Sequence, residues 1–185
     1  AANNLVGDRN LKFSVVRYGN VLSSRGSFVP LLKNLSKDKV ATIPITHKDM
    51  TRFWITLKES VDLVEKGLLI MKGGEIFIPK IPSVRVIDLP KVICPKNKIK
   101  IVGIRPGEKI HEILCPSENA HETIEFKNHF IIKPTIKITN REIDYINYSD
   151  EKGKKVAVNF EYSSGSNKKF LNPTQIKESL NNFDD

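Results

Sequence analysis

The chain has 185 residues, 39% of them hydrophobic and 28% charged, close to the averages for soluble globular proteins; the length suits one ordinary domain, or part of one with a smaller lobe, and argues against disorder. No stretch approaches the roughly 20 apolar residues of a membrane span, and no charged-then-apolar leader opens the chain, so a soluble, cytoplasmic protein without membrane association is expected. The formal charge of +9 and pI near 9.5 are spread over scattered lysines without interleaved aromatics, which reads as solvated surface and not as a nucleic-acid face. Only Lys152, Lys154 and Lys155 are dense, and nothing else in the sequence accounts for them. Cys94 and Cys115 have no Cys-x-x-Cys or His-x-x-His companions, so inert, partly buried thiols are expected and no metal site.

In chain order, Phe13 to Arg17 is a short β-branched and aromatic run, expected as a strand covered on both faces. Ser27 suits an N-cap and Pro30 a first helical turn, with Val29, Leu32 and Leu35 at helical spacing. Ile43-Pro44-Ile45 and Met50 to Ile55 are extended. Thr56 and Glu59 form a capping box for a helix on which Leu57, Val61, Val64, Leu68 and Met71 share one face, ended by Gly73-Gly74. Glu75 to Ile78 reads as a strand, Val86 to Ile93 as a helix, Lys98 to Gly103 as a strand and Lys109 to Leu114 as a short helix. Beyond His121 come extended pieces at Thr123 to Phe126 and His129 to Ile132. A polar stretch from Thr139 to Lys155 follows, and then a terminal helix from Pro173 to Leu180 started by Asn172 or Thr174. The alternation up to Leu114 is an α/β pattern.

Three loops carry candidate chemistry. Asn20 lies just past the first strand, where an open α/β sheet holds its ligand; Gly19, Gly26 and the serines leave room for close approach, and Arg25 offers a donor fork for phosphate. A plain turn, with Asn20 bonding its own backbone, fits equally. Arg52 stands beside Phe53 and Trp54, either as an anion contact backed by an aromatic face or as a surface arginine beside core aromatics. In Arg105-Pro106-Gly107-Glu108, the cation and carboxylate either clamp a nucleotide sugar or make a local salt bridge. His47, His111, His121 and His129 share no spacing that suggests a metal or a catalytic role, and the chain contains no Gly-x-Gly-x-x-Gly, Walker or Gly-x-Ser-x-Gly signature. No catalytic residue is assigned.

Taken together, Val16-Arg17-Tyr18-Gly19-Asn20-Val21, Ser24-Arg25-Gly26-Ser27, Met50 to Thr56, Gly74 to Ser83 and Gly103 to Lys109 closely resemble the inverting UDP-N-acetylglucosamine 4,6-dehydratases. These are extended short-chain dehydrogenase/reductase proteins at the start of pseudaminic acid synthesis. The resemblance implies an α/β fold: the C-terminal part of a Rossmann-type parallel sheet domain plus a smaller substrate-binding lobe. It assigns residues 1–135 to the last Rossmann strands and the sugar-nucleotide lobe, and 136–185 to a polar extension. By resemblance Asn20, Arg25, Arg52, Arg105 and Glu108 match substrate-binding positions, and Val21 lies where the nicotinamide end of NADP is approached.

The reaction so implied takes a hydride from sugar C4 to NADP, loses water across C5 and C6, and returns the hydride to C6 with C5 inverted. The family's glycine-rich cofactor loop, Asp-Lys pair and Tyr-x-x-x-Lys pair precede the residues matched to Ala1. The chain is therefore expected to be a C-terminal fragment that binds UDP-N-acetylglucosamine but does not turn over alone, within a full-length protein that self-associates. The alternatives are a retaining 4,6-dehydratase or epimerase relative, and a non-enzymatic nucleotide or polyanion binding module.

Overall fold

The computed structural model describes residues 11–22, 24, 27–37, 41–135 and 143–181. In chain order the elements are β1 (Val15–Val16), β2 (Asn20–Val21), α1 (Phe28–Lys37), β3 (Thr42–Ile45), β4 (Thr51–Ile55), α2 (Leu57–Ile70), β5 (Ile76–Pro79), β6 (Ser83–Arg85), α3 (Asp88–Ile93), β7 (Lys98–Ile101), β8 (Ile113–Cys115), a 3-10 helix (Ser117–Glu122), β9 (Thr123–Glu125), β10 (His129–Ile132), β11 (Asn147–Tyr148), β12 (Glu151–Lys152), β13 (Lys154–Lys155), β14 (Tyr162–Ser163) and α4 (Pro173–Asn181). They fall into two compact units, each drawn from three stretches of chain. One comprises residues through Tyr18, Lys58–Lys80 and Leu114–Tyr162; the other comprises Gly19–Leu57, Ile81–Ile113 and Ser163 onward.

The first unit is built on a five-stranded sheet in the order β1-β5-β10-β9-β13. β1 runs parallel to β5, while β10, β9 and β13 pair antiparallel in turn. The expected strand over Phe13 to Arg17 is thus present in its centre, but it stands at one end of the described sheet with Val15 52% exposed rather than covered on both faces. Phe77, Ile124, Phe126, Ile131 and Tyr148 form the core. The last of these comes from the polar stretch, where Tyr145 and Tyr148 stack at 5.5 Å. Glu75, fully buried, ties the turn after α2 to the core: its carboxylate accepts from the Lys72 and Gly73 amides at 2.9 and 2.8 Å and the Ser14 hydroxyl at 2.7 Å, and Tyr148 Oη lies 2.9 Å away. A buried carboxylate is tolerable when its lone pairs are filled in this way.

Helix α2 occupies the expected span, with Gly73 and Gly74 at φ of 123° and 88° beyond its end, and of the bulky stripe only Met71 packs on the core. Ser60, Leu63 and Gly67 are buried, whereas Leu57, Val61, Val64 and Leu68 are 55, 46, 46 and 66% exposed. The cause is close packing on the sheet. A Cβ at Gly67 would already lie 3.5 Å from Val16 and 3.6 Å from Phe77, so the face with Ser60, Leu63 and Gly67 turns inward.

The second unit holds a three-stranded sheet, β2-β4-β6, and the parallel pair β3–β7. Its core gathers Val29 and Leu32 of α1, Ile43 and Ile45 of β3, Met50, Trp54, Val84, Leu89 of α3, and Ile176 and Leu180 of α4. Asn172 rather than Thr174 starts α4: its side chain accepts from the Gln175 amide at 2.9 Å while the Gln175 side chain accepts from the Asn172 amide at 3.0 Å, a reciprocal box. Trp54 Nε1 donates to Ser179 Oγ at 3.1 Å and pins that helix.

Lys109 to Leu114 is not helical. The Thr51 amide donates to the Ile110 carbonyl at 2.9 Å, the Glu112 amide to Ser164 Oγ at 2.9 Å, and the Ser164 amide to the Glu112 carbonyl at 2.8 Å. These partners hold the segment extended, and tertiary pairing overrides weak local helix propensity. With parallel pairings in both units and helices between strands, the class is mixed α/β, as expected. Cys94 and Cys115 are free and fully buried, and burial pushes both thiols above their ordinary range. Among the described residues no helix is long and apolar enough to cross a membrane, and no cluster of potential metal ligands occurs.

Candidate functional site

The second unit encloses a cavity of about 220 Å³ whose lining includes Asn20, Val21, Arg52, Arg105 and Glu108. Five of the six residues singled out in the sequence are thereby brought together from three separate loops and strands. Arg25 lies outside the described residues.

Parallel pairing of β2 with β4 sets Asn20 opposite Trp54 and Val21 opposite Ile55, so the carboxyl end of β2 opens onto the cavity. Gly19 does not serve ligand access. A Cβ there would sit 2.3 Å from Phe53 Cβ, so the glycine lets β2 approach β4. The apolar wall comes from residues such as Phe28, Ile45, Trp54 and Leu89, a composition typical of small-molecule sites, in which a few polar groups set orientation.

Arg52 is held from behind. Its Nη1 donates to the Thr51 and Ile110 carbonyls at 2.7 and 3.2 Å, and its Nε lies 3.6 Å from Glu112 Oε1. Arg105 is exposed on a tight turn. Pro106 and Gly107, the latter with φ of 78°, occupy the central positions of a turn closed by Glu108 N–H to Arg105 C=O at 3.0 Å. This is the Pro-Gly arrangement of a type II turn. The Glu108 carboxylate accepts from the Arg105 amide at 3.1 Å, which fixes the carboxylate while leaving the guanidinium free to reach the cavity.

At the other edge of the cavity, α1 begins. Its first turn has no acidic residue, and the buried Ser27 hydroxyl, which lines the cavity, has no hydrogen-bond partner among the described residues. An unfilled hydroxyl beside a helix N-terminus, in a cavity also lined by two arginines, is an arrangement suited to an anion.

Sequence reasoning missed the residue that organises this site. With its amide nitrogen turned toward Glu112, Asn20 donates to both carboxylate oxygens at 2.8 and 2.9 Å, and the Phe53 amide donates to Glu112 Oε2 at 3.2 Å. Burial raises the Glu112 carboxyl above its ordinary range, opposed by the Phe53 amide and by Arg52. Glu112 is itself placed by Ser164, whose hydroxyl also lies 2.7 Å from Thr51 Oγ1. His111 Nδ1 sits 2.8 Å from the same Thr51 hydroxyl, and a Cβ on Gly165 would meet its ring at 2.6 Å. Only the turn preceding Glu112 gave a signal in the sequence.

The chain does contain one Tyr-x-x-x-Lys spacing, at Tyr148 and Lys152, but it falls on the hairpin β11–β12 and not on a helix. The Tyr148 hydroxyl is buried against Glu75 and the Ile70 carbonyl, and burial followed by the Glu75 charge raises its pKa strongly. That tyrosine is a core hydrogen-bonding group. Val21 adds an apolar side chain to the cavity lining, and the described residues form no glycine-rich cradle for a dinucleotide diphosphate.

The chain is 46% identical over 98% of its length to the inverting UDP-N-acetylglucosamine 4,6-dehydratase of Campylobacter jejuni subsp. jejuni serotype O:2, and covers 54% of that protein. A UDP-glucose 4-epimerase of Rickettsia bellii is 38% identical over 93% of the chain, which covers 50% of it. Among solved structures, Pen from Bacillus thuringiensis superposes with a TM-score of 0.77 at 30% identity, over 92% of this chain and 50% of that one. The chain thus spans about half the length of the curated relatives it matches. Residues 1–134, which contain the whole of the cavity lining described above, match the family described as polysaccharide biosynthesis protein, and the chain belongs to that family.

Proposed function

We propose that the chain is the sugar-nucleotide-binding part of an inverting UDP-N-acetylglucosamine 4,6-dehydratase. The observation that carries this reading is the convergence of Asn20, Arg52, Arg105 and Glu108 on one apolar-walled cavity in a chain 46% identical to such an enzyme. The roles follow from the donor set. Arg105 and Arg52 take diphosphate oxygens, Ser27 and the N-terminus of α1 add neutral donors, and Glu108 accepts from ribose hydroxyls. Asn20, held by Glu112, orients the sugar end, with Val21 beside the nicotinamide of NADP. The cofactor supplies the hydride acceptor and donor when bound. The chain's residues bind and orient the substrate, and the remaining cofactor contacts and the catalytic acid–base group belong to the other half of a protein of the relatives' length.

Calorimetric titration of the chain with UDP-N-acetylglucosamine tests this. Saturable binding is expected, weakened at least about tenfold in Arg105→Ala and in Arg52→Ala, a loss of about 1.4 kcal/mol each, with no turnover by the chain alone. Absence of binding, or binding indifferent to both substitutions, would contradict it.

A further inference from the structure

The lysine-rich run without an explanation in the sequence acquires one in the first unit. Gly153 lies between β12 and β13 with its α-carbon against the core. A Cβ there would stand 2.6 Å from Ile124 and 2.9 Å from the Phe126 ring. Only glycine lets the backbone close to this distance. Because side chains alternate along an extended strand, the residues on either side of Gly153, Lys152 and Lys154, both project away from that core.

Glu125 is the one carboxylate lining the recess they border, and both of its oxygens are taken. Oε1 lies 2.8 Å from Lys80 Nζ and Oε2 3.3 Å from Lys154 Nζ. Lys80 also donates to the Phe126 carbonyl and lies over the Phe130 ring at 4.9 Å, so its position is fixed. Lys127, in the turn between β9 and β10, completes the rim. Lys127 and Lys152 are exposed and make no salt bridge among the described residues. Four ammonium groups thus surround one carboxylate in an open recess of about 470 Å³. Like charges gathered in this way repel, and a multiply charged anion bound among them relieves that repulsion.

We propose that the recess framed by Lys80, Lys127, Lys152 and Lys154 binds a compact, multiply charged phosphate anion of the diphosphate class. It shares no residue with the cavity of the second unit. Lys152 and Lys127, the latter also acting on the Glu151 carboxylate, supply the exposed charges; Lys80 and Lys154, preset by Glu125, supply fixed donors at the floor and rim.

Nuclear magnetic resonance titration of the isotopically labelled 185-residue chain with inorganic diphosphate, against sodium chloride at matched ionic strength, tests the proposal. The expected result is saturable shifts at the Lys127, Lys152 and Gly153 amides, weakening several-fold as salt rises from about 0.05 to 0.5 M. Affinity should fall at least tenfold in the double variant Lys127→Ser with Lys152→Ser, whose exposed positions leave the fold intact, and should rise several-fold in Glu125→Gln, which releases Lys80 and Lys154. Shifts confined to the Arg52 and Arg105 cavity, affinities unmoved by these substitutions, or no diphosphate-specific shifts would overturn it. Because the probe lacks a nucleoside and the variants lie outside the cavity, failure here leaves UDP-N-acetylglucosamine binding at the cavity as a separate measurement.

Discussion

At the scale of single residues, one carboxylate between an amide and a guanidinium governs the candidate site. Glu112 receives two bonds from Asn20 and one from the Phe53 amide and stands 3.6 Å from Arg52 Nε. Truncating it releases both orienting side chains at once. Glu112→Ala is expected to weaken UDP-N-acetylglucosamine binding about tenfold, roughly 1.4 kcal/mol, while Glu112→Gln, which keeps one acceptor, loses less; calorimetry on the two variants gives the order. Asn20, Arg52 and Arg105 stood out in the sequence because each sits in a short motif with unusual neighbours. Glu112 closes the run that begins at Arg105, but nothing local assigns it a role; its importance arises from contacts with Asn20, Arg52 and Phe53, far away in the chain.

His129 is the residue from which a pH dependence follows. Its ring is 3% exposed, stacked on Phe126 at 4.8 Å, and neither ring nitrogen has a hydrogen-bond partner among the described residues. Burial, then the Lys66 charge, lowers its pKa to about 4, against the opposing pull of Glu151. The unfolded chain protonates this imidazole as pH falls below about 6.5, while the folded chain leaves it neutral until about 4. Folding stability therefore falls across that window, by up to roughly 3 kcal/mol, and the contribution levels off below it. Glu151, held low first by its bond to Lys66, contributes its own loss in the lower part of the acid range. Denaturant melts at pH 7 and pH 4.5 should show this slope, and His129→Phe should flatten it; an equal slope in the variant would contradict the assignment.

At the scale of elements, local signals located α1, β3, β4 and α4 well, since each carries its own caps or its own alternation. They failed where packing decides. Periodicity located α2 and the bulky residues that share a face, but which face is buried is set by the sheet, where Gly67 lies against Val16 and Phe77. Leu68→Lys on the exposed face should move stability of this chain by less than about 0.5 kcal/mol, and Leu63→Ala on the buried face should cost about 2–4 kcal/mol; chemical denaturation compares them directly. The reverse order would show that the bulky stripe is the packed one. For α4, Asn172→Ala removes one half of the reciprocal box and should cost about 1 kcal/mol, a fall in thermal midpoint of about 2–4 °C for a chain of this size. Lys109 to Leu114 was read as helix because no short-range feature announces Thr51 and Ser164 as its hydrogen-bond partners.

At the scale of the whole molecule, the two units gather their basic side chains differently. The second concentrates two arginines at an apolar cavity, and the first sets lysines around Glu125. The α/β class and the convergence of three motifs were legible because each motif lies at the end of a strand or in a turn, where an open sheet presents ligand-binding groups. The burial of Tyr148 and Glu75 was not, since a buried polar network depends on partners scattered along the chain. The most direct test of the central claim is a crystal structure of the chain grown with UDP-N-acetylglucosamine. The account predicts diphosphate density against Arg52 and Arg105, with the sugar toward Asn20. An empty cavity, with the nucleotide sugar bound elsewhere at full occupancy, would contradict it.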